Sequence, residues 1–219
     1  MCQVASFYAG AMAEARNIEL EPVAQRLGGL DLVIISPNDP EAMVRHTEEC
    51  RTRGYAFAAD PSQQLARMSG EQVRSLIDGA AYLLTNDYEK DLLETKTGLS
   101  DAEVLDRVGI RVTTLGKHGV RITGRDMEPV HVPVAREIQA YDPTGVGDGF
   151  RAGFFAGLSW GLSLKRSAQV GALLATLVLE TVGTQEYTVR GDEFIKRIAD
   201  SYGDEAAEEV RPRISLLSS

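Results

Sequence analysis

Cysteine is nearly absent from the chain: Cys2 and Cys50 are the two it has, and neither stands in a CxxC or at a spacing that pairs with a histidine ligand. A disulfide framework therefore has little to build on, and reduced core thiols are expected. Positive charge is in deficit, with 23 Lys and Arg against 32 Asp and Glu for a formal charge of −9. That balance argues against a nucleic-acid or anionic-membrane surface, because both demand concentrated basic charge. No apolar run approaches the length of a membrane span, and the N-terminus lacks a basic region followed by an apolar stretch and a cleavage site. A cytoplasmic protein acting on small molecules is expected. Neither an internal repeat nor a low-complexity linker interrupts the sequence. What is present is 43% apolar residues over 219 positions, enough for one domain of ordinary size with a sizeable core.

Residues 3–8 read as a strand ending in a turn at Gly10, with Phe7 a core-facing aromatic on this pattern. Residues 30–36, LDLVIIS, are apolar on both sets of alternate positions, as in a parallel strand covered on both faces. Asn38, Asp39 and Pro40 then supply a cap and a first-turn proline, and Met43, Val44, Thr47 and Cys50 recur at helical spacing until Gly54. Strands over residues 55–59 and 80–84 end in Asp60-Pro61-Ser62-Gln63-Gln64 and Thr85-Asn86-Asp87-Tyr88-Glu89, the kind of strand end where ligands of an open α/β sheet gather. Ser69 with Gln72, and Ser100 with Glu103, form capping boxes. Asn86 and Glu89, three apart, read as a helix cap with a first-turn acid that suits the helix dipole. A strand over 111–115 runs through Gly116-Lys117-His118-Gly119 into another over 120–123, a tight connection, with Lys117 exposed and His118 lacking metal-ligand partners. Residues 130–134 read as an edge strand with His131 exposed. Phe150, Phe154 and Leu158 share a helix face. Ser163 opens the next helix, which Gly183 ends, and Asp192 caps another carrying Phe194, Ile195, Ile198, Ala199 and Tyr202; the charged GDEAAEEVR after it is expected to be exposed.

The stretch with the most chemistry is DPTGVGDGF, from Asp142 to Phe150. Glycines alternating with Thr144, Val146 and Asp148 leave backbone N–H groups bare where a helix begins, which makes an anion cradle. Asp148 within it is either an N-cap or a general base beside a bound phosphoryl group.

The run DPTGVGDGF, with RAGFFAG and QVGALLATLVLETVGTQEY behind it and ADPSQQLARMSGEQ upstream, resembles the C-terminal signature of the ribokinase-like (PfkB) carbohydrate and nucleoside kinases, in particular bacterial adenosine kinases. The resemblance implies a doubly wound, mostly parallel α/β sheet flanked by helices. It implies phosphoryl transfer from ATP to the 5′-hydroxyl of adenosine, with Asp148 as base and the amides of Gly145, Val146 and Gly147 holding the developing charge. On the same ground Asn86 and Glu89 order Mg²⁺-bound water and the nucleotide phosphates. Thr114, Leu115, Gly116, Lys117, His118 and Gly119 form the ATP-facing loop, joined by Gly147. Phe7, Gln63 and Gln64 face the nucleoside, and Asp142, Thr144 and Gly183 contribute to a monovalent-cation site, K⁺. A sugar kinase of the same family and a non-catalytic nucleotide-binding or dimerising remnant remain as alternatives, and a homodimer stays open.

One departure stands against the family pattern. Its members carry, before the region matching Cys2 onward, the first strands of the sheet, a Gly-Gly-Asn substrate loop and a small β lid. The expectation is therefore a single ribokinase-like domain, N-terminally truncated, with an unpaired sheet edge and fewer contacts to the substrate ribose.

Overall fold

The computed structural model describes residues 8–214. The strand expected over 3–8, and Phe7 with it, falls outside the described residues except for Tyr8. The described strands form one six-stranded sheet whose order follows the chain from first to last. The chain divides into two compact units, the first running to Thr113 and including Thr123–Glu128, the second comprising Thr114–Ile122 and everything from Pro129.

In the first unit a 3₁₀ segment, Gly10–Asn17, and helix α1, Glu21–Leu27, precede strand β1, Val33–Ile35. Neither helical segment was expected. Strand β1 is shorter than its apolar run, and it is not covered on both faces: Ile34 is 43% exposed, and β1 also ends the sheet order. Helix α2, Pro40–Arg53, has the expected boundaries. Asp39 caps it by accepting from the Ala42 N–H at 3.1 Å, and Gly54 closes it at φ 71°. The Arg16 guanidinium, which bonds both Asp39 oxygens at 2.7 Å, holds that carboxyl below its usual range.

Strand β2, Phe57–Ala59, runs parallel to β1 with Ile34 opposite Ala58, and helix α3, Gly70–Ile77, starts at the complete Ser69–Gln72 capping box. Strand β3, Tyr82–Asn86, is parallel to β2 and leads directly into α4, Asp87–Thr97. Helix α5, Asp101–Leu105, begins at the Ser100–Glu103 box and precedes β4, Ile110–Thr114. Met43, Cys50, Phe57, Leu76, Leu83 and Leu93 meet in the core of this unit. Arg111 is also inside, 1% exposed, bonded to Glu94 at 2.9 Å and Asp101 at 2.7 Å.

Strands β5, Val120–Gly124, and β6, Met127–Val132, complete the sheet. β6 ends the order, which is where a strand containing Pro129 loses least. His131 is exposed, and its ring nitrogen lies 2.8 Å from the His118 carbonyl oxygen.

The second unit is mainly helical. Helix α6, Val146–Ser159, and α7, Leu164–Leu179, pack at backbone contact. A Cβ on Gly153 would lie 2.7 Å from Gly171 Cα, and one on Gly157 would lie 2.7 Å from Ser167 Cα, so only glycine permits this approach. Ser163 caps α7 as expected, but α7 ends at Leu179 with Glu180 as its cap, so Gly183 lies in the loop beyond and does not end the helix. Helix α8, Gly191–Tyr202, is capped at Arg190, which puts Asp192 in the first turn. The segment expected to be merely exposed is helix α9, Asp204–Ile214. Ala206, Ala207, Val210 and Ile214 bury one face against Phe194, Ile195 and Ile198 of α8 and Val170 and Leu173 of α7. Arg166 of α7 fixes α9 through a two-pronged bond to Glu209, at 3.0 and 2.7 Å.

Candidate functional site

Residues that carry the expected chemistry occur in both units. In the second, α6 starts at Val146, inside the glycine-rich stretch, with Gly145 as its cap at φ 82° and no side chain capping it. Asp148 is thus a first-turn residue, exposed, and not the N-cap, which removes capping as the reason for an acid there. The Val146 amide, one of those expected to face phosphate, donates to the Pro143 carbonyl in a 3.3 Å turn bond, and the Gly149 amide starts the helical ladder by donating to the Gly145 carbonyl at 2.8 Å. Among the described residues of this unit, no hydrogen bond takes the amides of Gly145, Gly147 or Asp148. The helix dipole and these donors point the same way, toward an anion.

The approach to this turn is held firmly. The Tyr141 and Asp142 amides donate to the Leu179 carbonyl at 2.8 and 3.2 Å, and the Ile138 amide donates to Glu180 Oε1 at 2.7 Å. Glu180 also receives two bonds from Arg197, at 2.5 and 2.8 Å. Asp142 accepts from the Thr144 amide at 2.9 Å and from the Gly183 amide at 3.5 Å. The Thr144 bonds above all keep the Asp142 carboxyl below its usual range, so it is an anion at neutral pH. A Cβ on Gly145 would lie 3.1 Å from the Thr184 side chain. The structure thus brings Asp142, Thr144, Gly145 and Gly183 together. A fixed anion suits a cation site in charge, although the two amides already use part of its acceptor capacity.

The connection from β4 to β5 is a 3₁₀ turn, Gly116–His118, closed by the Leu115 amide donating to the Gly119 carbonyl at 2.7 Å. Gly119 has φ 85°, and a Cβ there would fall 2.1 Å from the Val132 carbonyl oxygen, so the residue must be glycine. Gly116, Lys117 and His118 are exposed at the tip, while Thr114 and Leu115 are half-buried.

In the first unit the chain leaving β2 holds Ser62 at φ 43°, a left-handed conformation that a non-glycine residue adopts at a cost. Its hydroxyl donates to Gln63 Oε1 at 2.8 Å and approaches Glu89 Oε1 at 3.3 Å. Gln63 is exposed, but Gln64 is 4% exposed, and its Oε1 has no hydrogen-bond donor among the described residues, like the Thr85 hydroxyl oxygen at the end of β3. Buried polar atoms without a partner are uncommon in folded proteins. Asn86 and Glu89 form a reciprocal capping box: the Glu89 amide donates to Asn86 Oδ1 at 2.7 Å, and the Asn86 amide donates to Glu89 Oε2 at 2.8 Å. The cap reading is therefore realised. It leaves lone pairs on Glu89 Oε1 and Asn86 Oδ1, which fits a hydrated Mg²⁺ held through water; among the described residues no group of three or more His, Cys, Asp or Glu is placed to cage a metal directly.

One residue that sequence reading passed over belongs with the cradle. A Cβ on Gly147 would lie 2.8 Å from Nη1 of Arg151, a helical turn further along α6. The i, i+4 spacing was the available signal.

Comparison with known proteins identifies the surroundings of these residues. The model of the pfkB family carbohydrate kinases matches residues 3–189. A nucleoside kinase of Methanothermobacter thermautotrophicus is 30% identical over 205 residues, covering 93% of this chain and 64% of the relative. One of Methanocaldococcus jannaschii is 28% identical over 171 residues, covering 77% and 55% respectively. Among solved structures, a Burkholderia thailandensis nucleoside kinase in complex with inosine superposes with a TM-score of 0.85 at 33% identity, covering 92% of this chain and 66% of that one. The chain thus spans a little over half to about two thirds of the length of these relatives.

Proposed function

Because the chain belongs to the pfkB family of carbohydrate kinases, we propose that it serves ATP-dependent phosphoryl transfer to the 5′-hydroxyl of a purine nucleoside, adenosine in the first instance. The observation that carries this reading is the start of α6, where unbonded amides of Gly145 and Gly147 stand beside an exposed carboxylate that caps nothing.

The 5′-oxygen attacks the γ-phosphorus, a P–O bond forms, the bond to the β,γ-bridging oxygen breaks, and ADP leaves. Asp148 takes the hydroxyl proton as the oxygen attacks. The Gly145 and Gly147 amides, with the Asp148 amide, stabilise negative charge spread over the transferring oxygens; being fixed at the helix start, they need no reorganisation. The loop from Thr114 to Gly119 is assigned to the nucleotide, with Lys117 meeting phosphate. Asn86 and Glu89 would hold Mg²⁺ through water, and the metal supplies neutralisation of phosphate charge. Asp142, Thr144 and the Gly183 loop are assigned to a monovalent cation, K⁺. Gln63 and Gln64, and Phe7 outside the described residues, are assigned to the nucleoside; the undonated Gln64 oxygen supports this, since a purine brings N–H groups to meet it. The inosine complex of the Burkholderia relative supports a purine acceptor over a bare sugar.

A competition assay tests the proposal: γ-labelled ATP with equimolar adenosine, inosine and ribose. Label in the nucleoside 5′-monophosphates is the expected result. Label in ribose phosphate would make the protein a sugar kinase, and ATP binding by calorimetry without transfer to any acceptor would make it a nucleotide-binding remnant.

A further inference from the structure

We propose that Ser62 is a positioning residue that couples two neighbouring parts of the first unit, the turn after β2 assigned to the nucleoside and the start of α4 assigned to Mg²⁺. Ser62 is half-buried and opens the 3₁₀ turn Ser62–Ala66 just beyond β2. Its hydroxyl oxygen lies 2.8 Å from Gln63 Oε1 and 3.3 Å from Glu89 Oε1. A serine hydroxyl has a single proton to give, and an amide oxygen and a carboxylate oxygen both accept, so the two compete for it. The shorter contact, to Gln63, holds it here. Glu89 is 9% exposed, and its Oε2 is engaged by the Asn86 amide at 2.8 Å. Oε1 is therefore the oxygen left for a metal-bound water, and the Ser62 hydroxyl stands beside it.

The backbone singles out the same residue. Among the described residues Ser62 is the one non-glycine with a positive φ, 43°. Glycine would adopt that conformation freely, whereas serine is held in it at a cost, and what serine adds over glycine is the hydroxyl. Gln63 is exposed, so its amide is open to a ligand. A ligand that bonds Gln63 Oε1 through its own N–H or O–H satisfies that oxygen, and the Ser62 hydroxyl is free to turn to Glu89 Oε1, a charged acceptor. Glu89 is then fixed at both oxygens, while Oε1 keeps a second lone pair for the water of a hydrated Mg²⁺. Binding on the Gln63 side thus favours binding on the Glu89 side, and linkage makes the effect reciprocal. This inference rests on the kinase reading for naming the two ligands as a nucleoside and a Mg²⁺-nucleotide.

Calorimetric titration of adenosine into the wild type, Ser62→Gly and Ser62→Ala, with and without saturating ADP and Mg²⁺, tests it, with thermal melts of each protein. In the wild type Mg²⁺ and ADP are expected to tighten adenosine binding about three- to tenfold, and EDTA in place of Mg²⁺ should bring that factor below about twofold. In both variants the factor should stay below about twofold with Mg²⁺ present. Ser62→Gly is expected to melt close to the wild type, because what glycine loses in chain entropy it regains at a positive φ. A wild type without coupling overturns the inference, and so does a factor in Ser62→Gly equal to that of the wild type. Weaker adenosine binding in both variants with the factor intact overturns it too, as the mark of a residue that only shapes the turn. If the wild type shows the factor and Ser62→Gly loses it, yet no phosphate passes from ATP to adenosine, the kinase reading falls and the role of Ser62 stands.

Discussion

At the scale of single residues, the candidate site depends on what each polar group already bonds. Asn86 caps α4 through its own side chain, so Asn86→Ala is expected to cost about 1 kcal/mol of stability, read as a lower urea midpoint. If Asn86 also orders the metal's water, the same variant needs a higher Mg²⁺ concentration for half-maximal activity, while a purely structural cap leaves that requirement unchanged. Cys50 gives a simpler expectation. Burial pushes its thiol up to about 11, so in a Cys2→Ser background iodoacetamide at pH 8 should label it only once urea unfolds the protein. Much at this scale was readable beforehand, because capping boxes are short-range patterns: Ser69–Gln72, Asn86–Glu89 and Ser100–Glu103 all form. Which role Asp148 plays was not readable. An acid just before an apolar helix is N-cap or first-turn residue according to where the helix starts, and the positive φ of Gly145 moved that start forward.

At the scale of elements, glycine and one ion pair set the geometry around the cradle. Gly153→Ala places a methyl group 2.7 Å from Gly171 Cα, so α6 and α7 must separate; a loss of about 1–3 kcal/mol is expected in chemical denaturation. Glu180 couples the end of α7 to α8 and to the segment entering the cradle. Burial by itself would raise its carboxyl, but the Arg197 guanidinium and the Ile138 amide outweigh burial and lower it. The folded state therefore prefers the carboxylate. That contribution is fully present above the ordinary carboxylate pKa of about 4.3 and is lost as the pH falls through the lowered value. Glu180→Gln should cost about 1–3 kcal/mol at pH 7 and flatten the acid limb of the stability profile; an unchanged limb would remove Glu180 from this role. Helix α9 shows why some elements escape a sequence. Its acids suggest a solvated tail, while its buried face is made of Ala206, Ala207, Val210 and Ile214, four residues, two of them alanines, whose helical spacing is quiet beside the charge. Strand β1 errs the other way: its unbroken apolar run suggested two covered faces, yet Ile34 is exposed.

At the scale of the whole molecule, the alternation of strands and helices was the most legible feature, since β1, β2 and β3 lie in short apolar runs and α2, α3 and α4 each start at a capping residue, Asp39, Ser69 and Asn86. The sheet follows from it, while the family rests on the DPTGVGDGF stretch and the runs around it; both are seen. What composition could not supply is the acceptor, because the phosphate chemistry proposed at the bend is the same whether a sugar or a nucleoside hydroxyl receives the group. The central claim is that the bend before α6 holds the transferring phosphate with Asp148 as its proton acceptor. The measurement that tests it most directly is the rate of AMP formation from ATP and adenosine by the wild type and by Asp148→Asn, with ATP affinity determined for both. A fall of about 10²–10⁴-fold in rate with ATP affinity kept within about threefold is the expected result; equal rates from the two proteins would contradict the account.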